Sequence, residues 1–351
     1  MNNTKEDISV FIQRTGNLLI HLLNTCNLSC QHCYLNADKY SKKMIPYDLV
    51  VDILEEADDL SMKSVQFSGG EPFLFPKIFE LLESANNKSY FLTVSTNGTL
   101  INERAAERLA DLNIKIVTSI DGPAEYHDRF RAKIGAFAQT EKAIKLLVQK
   151  NVPVKLVATI CRDNLDTIDW LAEWALSMGV ESIQFQPLEK IGRGANIESK
   201  RLQGEELHDL FIRLNDAAVL CQGEKMKLTM TYQSREYMLA HPCSAYVCNG
   251  KKCHRGIEKE LKKIVIREDG AILPELVDID RKYAIGNIFD NTLTHSIKNF
   301  LEQGYAEFDH LCRTVYKDSV INSSGPLVAW GELLIERSKE ILPNRTFENP
   351  D

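Results

Sequence analysis

No stretch of eighteen consecutive apolar residues occurs in the chain, so no helical membrane span is expected. Basic charge is in deficit: 42 Lys and Arg stand against 49 Asp and Glu, and the net charge of −7 argues against a nucleic-acid partner. The first residues, Met-Asn-Asn-Thr-Lys-Glu-Asp, lack the apolar core of a secretory signal, which predicts a cytoplasmic protein. Apart from an alternation of strand and helix patterns there is no internal repeat. Apolar residues make up 44% of the chain, enough for a globular core, and 351 residues allow one large domain or two ordinary ones.

Cysteine, by contrast, is plentiful. There are nine, and neither a reducing cytosol nor a chain of this length calls for a disulfide framework. Seven fall into two groups: Cys26, Cys30 and Cys33, spaced C-x3-C-x2-C, and Cys243, Cys248 and Cys253 with the distant Cys312. Metal binding accounts for such grouping better than burial of small hydrophobes does. The early triplet offers three soft ligands on one loop behind an apolar strand. A saturated zinc or iron–sulfur site normally takes four protein ligands. Three thiolates with no fourth nearby suggest a cluster with one iron left open. The alternative is a zinc site completed by His32 or His21.

Short apolar runs at 17–24, 64–68, 90–95, 114–120, 153–160 and 182–186 read as strands. Helical periodicity lies between them, as in Glu103 to Leu112, Thr140 to Gln149 and Leu165 to Met178. Alternating units of this kind predict parallel βα pairing, an α/β fold in the form of a partial (β/α)6 barrel. Loops at the carboxyl ends of its strands would carry the chemistry. They include the cysteine triplet, Ser68-Gly-Gly-Glu-Pro72, the turn at 95–98 and the turn at 119–123. Two glycines let backbone approach a ligand closely, and Glu71 would accept from a cationic amino group. Read alone, the run is also an ordinary strand-to-helix turn. Glu205 to Leu220 is a predicted helix, Ile191-Gly-Arg-Gly a connecting loop, and Asp269-Gly270 a hairpin turn.

Cys-Asn-Leu-Ser-Cys-Gln-His-Cys-Tyr followed by Ser-Gly-Gly-Glu-Pro, within this βα pattern, resembles the radical S-adenosylmethionine superfamily over about residues 16–190. The resemblance implies a 4Fe–4S cluster on Cys26, Cys30 and Cys33, whose open iron chelates S-adenosylmethionine. One-electron reduction would then yield a 5′-deoxyadenosyl radical that takes a hydrogen atom from substrate. It places Tyr34 near the adenine and Gly69, Gly70 and Glu71 at the methionine amino group. Ser95 and Asn97 match the turn after the third strand, and Ser119 and Arg131 resemble ribose and carboxylate contacts. An arginine fork suits a carboxylate, although Arg131 also reads as an exposed arginine at a helix start. Gln184 and Gln186 would face the barrel mouth, toward adenine or substrate, or bind loop backbone.

The late cysteines, with Cys253-His-Arg-Gly256 and the run ending Leu273-Pro274, resemble the auxiliary-cluster region of the SPASM and twitch subfamilies. Glu275 stands where those regions usually place a cysteine. The expected set is therefore Cys243, Cys248, Cys253 and Cys312 around one auxiliary 4Fe–4S cluster. The alternatives are completion by Glu275 or substrate, or a zinc site that includes His241 or His254. Cys161, at the end of the fifth strand, and Cys221, after a helix, are candidate hydrogen-atom donors to a substrate radical, or else small buried hydrophobes. Trp170 and Trp174 read as core.

The expected organisation is a radical barrel over 1–190, a helical connection over 191–240 and an auxiliary-cluster domain over 241–351. The resemblance implies a maturase of ribosomally made peptides, fed by a flavodoxin- or ferredoxin-type electron donor. The barrel starts almost at once, so a leader-peptide-binding domain would be a separate protein or dispensable. Haem, cofactor or small-metabolite biosynthesis is the alternative within enzymes. A zinc-stapled, non-catalytic binding protein is the alternative outside them.

Overall fold

Six strands follow from the six apolar runs: β1 (Asn17–Leu23), β2 (Ser64–Gly69), β3 (Phe91–Ser95), β4 (Ile114–Ser119), β5 (Val154–Ile160) and β6 (Ser182–Pro187). The structure, a computed structural model, describes residues 16–221, 223–224, 226–247 and 261–340. Each strand pairs in parallel with the next. Between them run α1 (Tyr47–Asp59), α2 (Ile78–Asn86), α3 (Glu103–Ala110), α4 (Ala124–Phe130), α5 (Ala136–Gln149) and α6 (Ile168–Ser177). Their apolar residues recur at helical spacing and cover the outer face of the sheet. In α1 these are Val50, Ile53, Leu54 and Ala57. The side chain of Asn102 accepts from Ala105 N and starts α3 at that point.

Burial alternates along the strands. In β4, Ile114, Ile116 and Thr118 are buried while Lys115, Val117 and Ser119 are half-buried. The first set packs under the helices and the second faces the concave side. β1 has both faces covered, from Leu18 to Leu23.

Four strands widen the sheet beyond the six of the βα units. β7 (Lys227–Met230) joins β6 in parallel. β8 (Lys263–Ile266) lies parallel to the free side of β1, turns at Asp269-Gly270 and returns as β9 (Ala271–Pro274). With the two-residue β10 (Gly286–Asn287) the order is β10-β9-β8-β1-β2-β3-β4-β5-β6-β7, a ten-stranded sheet. β7 and β10 are its unpaired edges among the described residues, so the barrel stays open. The partial barrel is followed by a C-terminal helical region.

That region contributes α7 (Glu205–Leu220), α8 (Arg235–Ala240), α9 (Leu293–Asn299), α10 (Tyr305–Tyr316) and α11 (Trp330–Lys339). Glu56 of α1 ties it to the barrel. Its carboxylate accepts from Leu293 N at 3.1 Å and Thr294 N at 2.8 Å, two orphan donors at the start of α9.

Candidate active site

An eight-stranded TIM barrel fills its interior with branched side chains. Here the concave side holds Gln66, Thr93, Ser95, Lys115, Ser119, Lys155, Thr159, Gln184 and Gln186, which are too polar and too sparse to pack. They line a chamber of about 670 Å³. Cys26, Cys30 and Cys33, on the loop after β1, form part of its wall.

Backbone contacts fix that loop. Cys26 N donates to Asp38 O at 2.9 Å and Gln31 N to Phe130 O at 2.9 Å. Arg193 staples it from the far side. Its Nε donates to Cys30 O at 2.7 Å, its Nη1 to Ala37 O at 2.9 Å and its backbone N to Cys33 O at 2.9 Å. Gly192 has φ +57° and lies so close that a Cβ there would stand 2.4 Å from Cys33 O. Ile191-Gly-Arg-Gly was expected only to connect. The two glycines flanking an arginine were the available signal.

Do these residues suit an iron–sulfur cluster? Burial pushes the Cys26 thiol up to about 12 and raises that of Cys30, which Arg131 partly opposes. Thiolates here therefore need a bound cation. Leu28 N and Asn97 Nδ2 lie 3.4 and 3.8 Å from Cys26 Sγ, the kind of donors that tune a cluster sulfur. The donor set fits. Among the described residues no three His, Cys, Asp or Glu converge on a single-ion site. Neither histidine joins the cysteines as the zinc alternative requires: His32 stacks on Phe130 at 4.1 Å, and His21 Nε2 meets the Tyr34 hydroxyl at 3.4 Å.

Gly69 and Gly70 line the chamber while lying on the backbone of the cysteine loop. A Cβ on Gly69 would sit 2.3 Å from Leu23 O, and one on Gly70 2.1 Å from Thr25 O. Glu71 departs from expectation. It is fully buried, does not line the chamber, and accepts from Phe73 N at 3.1 Å, Thr96 Oγ1 at 2.7 Å and Asn97 N at 2.8 Å. A carboxylate buried this deeply needs such donors, and they come from the protein rather than from a ligand's amino group. Burial raises its pKa against the pull of those three bonds.

Ser95, Asn97, Ser119, Tyr34, Arg131 and Gln184 all reach the chamber wall. Asn97 also donates to Asn27 Oδ1 at 2.8 Å, joining the β3 turn to the cysteine loop. Ser95 Oγ accepts from Gln66 Nε2 at 2.6 Å. Arg131 is buried, not exposed, and forks onto Asp121 with Nε–Oδ2 at 2.7 Å and Nη2–Oδ1 at 3.2 Å. The pair holds Asp121 ionised and keeps the guanidinium charged in spite of burial. Asp121 Oδ1 also accepts from Thr159 N at 3.0 Å, which locks β4 to β5 at the mouth.

Neither candidate hydrogen-atom donor reaches the chamber. Cys161 is sealed by Tyr126, Phe130 and Leu188, with Tyr126 Oη 3.3 Å from its sulfur. Cys221 ends α7 on the outer side of the sheet and packs into the main core. Both were placed near the mouth because they follow a strand and a helix. In each the side chain turns to the packed side. Trp170 and Trp174 stack at 5.9 Å as core. Cys312 is fully buried on α10 and Cys243 is half-buried, while Cys248 and Cys253 lie outside the described residues. Glu275 has φ +65° and accepts from Lys263 N at 3.1 Å; burial raises the Cys312 thiol, and the charges of Asp309 and then Glu275 add to it. Beyond β6 the chamber wall carries Glu189, raised to about 7 by burial and then by the charge of Glu332. No sequence signal marked it except its place just after a strand.

Residues 20–175 match the family model described as the Radical SAM superfamily. The chain is 26% identical over 274 residues to the antilisterial bacteriocin subtilosin biosynthesis protein AlbA of Bacillus subtilis, covering 77% of this chain and 57% of AlbA. It is 28% identical over 191 residues to an AdoMet-dependent heme synthase of Oleidesulfovibrio alaskensis, covering 53% and 49%. The chain thus spans about half the length of these curated relatives. Among solved structures, Streptococcus suis SuiB bound to S-adenosylmethionine superposes with a TM-score of 0.66 at 18% identity, over 84% of this chain and 68% of that one. SuiB has also been solved bound to its precursor peptide SuiA, where the TM-score is 0.63. At these identities the superposition shows a shared fold.

Proposed function

We propose that the chain is a member of the radical SAM superfamily, an enzyme that generates a 5′-deoxyadenosyl radical and uses it on a ribosomally made peptide. The observation that carries the reading is the open polar chamber with three cysteines in its wall. When bound there, a 4Fe–4S cluster with S-adenosylmethionine supplies the one-electron cleavage that releases the radical. Cys26, Cys30 and Cys33 would hold the cluster, and Arg193 fixes the loop that carries them. Gly69 and Gly70 give the cofactor close backbone approach. Tyr34, Ser95, Asn97, Ser119, Arg131 and Gln184, which line the same chamber, would contact it. The packed helices under the sheet keep water away from the radical on one side, and the open side admits substrate.

Support for a peptide comes from the names of AlbA and of the SuiB complex with SuiA. The heme-synthase relative favours a second reading, a carboxylated tetrapyrrole. An auxiliary cluster on Cys243, Cys248, Cys253 and Cys312 belongs to either reading, with a flavodoxin- or ferredoxin-type protein as electron source. Anaerobically reconstituted protein should contain about eight iron atoms per chain if both clusters are cubanes. With dithionite and S-adenosylmethionine it should release 5′-deoxyadenosine and methionine, measured by liquid chromatography and mass spectrometry. Cys30→Ala should abolish that release, and its persistence would overturn the assignment of the triplet. Co-expression with short peptides encoded beside the gene should then shift the mass of one of them. Modification of a tetrapyrrole acid with no peptide altered would favour the second reading.

A further inference from the structure

The protein carries a net charge of −7, yet its chamber has the opposite sign. Five cationic side chains line it (Lys115, Arg131, Lys155, Arg193 and Lys263) against a single carboxylate, Glu189. Three of the cations have protein partners. Lys115 pairs with Glu181, Arg131 with Asp121, and Arg193 with loop carbonyls. Lys155 differs. Its ammonium donates to Gln184 Oε1, a neutral acceptor, and no carboxylate among the described residues lies within 4 Å of it.

The register of the sheet puts Lys155 deep in the chamber. It sits level with Val117 of β4 and Ser182 of β6, four residues before Thr159, which lies at the mouth beside Asp121. Four residues of strand span about 13 Å. Lys155 therefore lies below Asp121 and its partner Arg131 at the mouth and two residues below the level of Ser119, and it shares its level with Ser95 and its ammonium's hydrogen bond with Gln184, the lowest of the groups assigned to cofactor. Burial and the neighbouring Lys115 charge both oppose its protonation, a cost that an anion at this spot would offset. Gln184 cannot neutralise the ammonium, but it does orient it and has its amide N–H free to donate alongside.

We propose that the floor of the chamber is a carboxylate subsite, where Lys155, aimed by Gln184, receives an acidic side chain or the C-terminal carboxylate of the substrate peptide. The assignment rests on the peptide reading above and adds the anchor that would fix the peptide's depth beneath the radical. A carboxylate held at the floor leaves a neighbouring stretch of the same molecule to reach the mouth. This would select substrates by the separation between the acid and the reacting carbon.

The test uses reconstituted holoenzyme and two small probes, N-acetylglutamate and N-acetylglutamine amide, with binding read by saturation-transfer NMR and titration. The acid should bind and the amide should not. Lys155→Gln should weaken acid binding at least tenfold. Lys155→Arg, which keeps the charge, should stay within about threefold of the parent, and so should the surface control Lys145→Gln. Equal binding of acid and amide, or undiminished acid binding in Lys155→Gln, would overturn the proposal. So would a loss in Lys155→Arg as large as in Lys155→Gln. Acid binding through Lys155 without modification of any peptide would leave the subsite standing and remove the peptide as its occupant.

Discussion

Glu189 carries a clear pH signature. Its folded pKa of about 7 stands above the ordinary carboxylate value of 4.5, chiefly from burial and then from Glu332. Below about pH 4.5 both folded and unfolded chains hold the proton, and the group costs nothing. Between 4.5 and 7 only the unfolded chain ionises, so stability falls as pH rises; above 7 the penalty is constant. Glu189→Gln should therefore melt higher than the parent at pH 8, by on the order of 2 kcal/mol, and alike at pH 4.5. Scanning calorimetry at the two pH values checks this. Gly192 gives a second prediction. A methyl group there meets Cys33 O and strains a positive φ, so Gly192→Ala should lower iron retained after reconstitution by half or more, read by iron assay. The cysteine triplet in the chamber wall was legible because its spacing is local. The engagement of Glu71 was not, because Thr96 and Asn97 come to it from another strand.

Among the elements, the six strands were legible because each is a short apolar run that folds into five to seven residues of strand, alternating in burial along β3 to β6 and continuous in β1. β7 was not. It has four residues, none fully buried, and only its neighbour β6 makes it a strand. The docking of β8 on β1 was equally hidden, since pairing across more than two hundred residues leaves no local pattern. The tie between α1 and α9 belongs to this class too. Glu56→Ala strips two acceptors from the start of α9 and should cost about 1–2 kcal/mol in urea unfolding. Glu56→Gln, which keeps one acceptor oxygen, should lose about half as much. Equal stability of all three proteins would refute the cap.

For the whole molecule, acid is the weak side. His21 is held to about 3 by burial, with Arg267 and Lys263 adding to it, and His127 to about 4 by burial and Arg131. Both stay neutral in the fold, and His127 Nδ1 accepts from Asp121 N at 3.2 Å. Unfolded, each takes a proton near 6.5. Their contribution is thus full above that value and is lost as pH falls toward the folded pKa values. From pH 7.5 to pH 5 the protein should lose about 2 kcal/mol for each of the two, giving a steeper decline than in His21→Gln. Unfolding free energies at both pH values measure this. The triplet, the barrel and the chamber wall could be read from pattern, whereas the sign of the chamber's charge needed side chains from three strands and two loops brought to one surface.

The placement of β8 against β1 also bears on synthesis. While the chain is still on the ribosome, one side of β1 stays without its hydrogen-bonding neighbour until residue 266 has emerged. At roughly 5–20 residues per second that wait lasts on the order of 10–50 seconds, with a strongly apolar strand open to any passing partner. Nascent chains stalled before residue 261 should thus bind holding chaperones through Asn17–Leu23, and release from them should follow the emergence of the late hairpin.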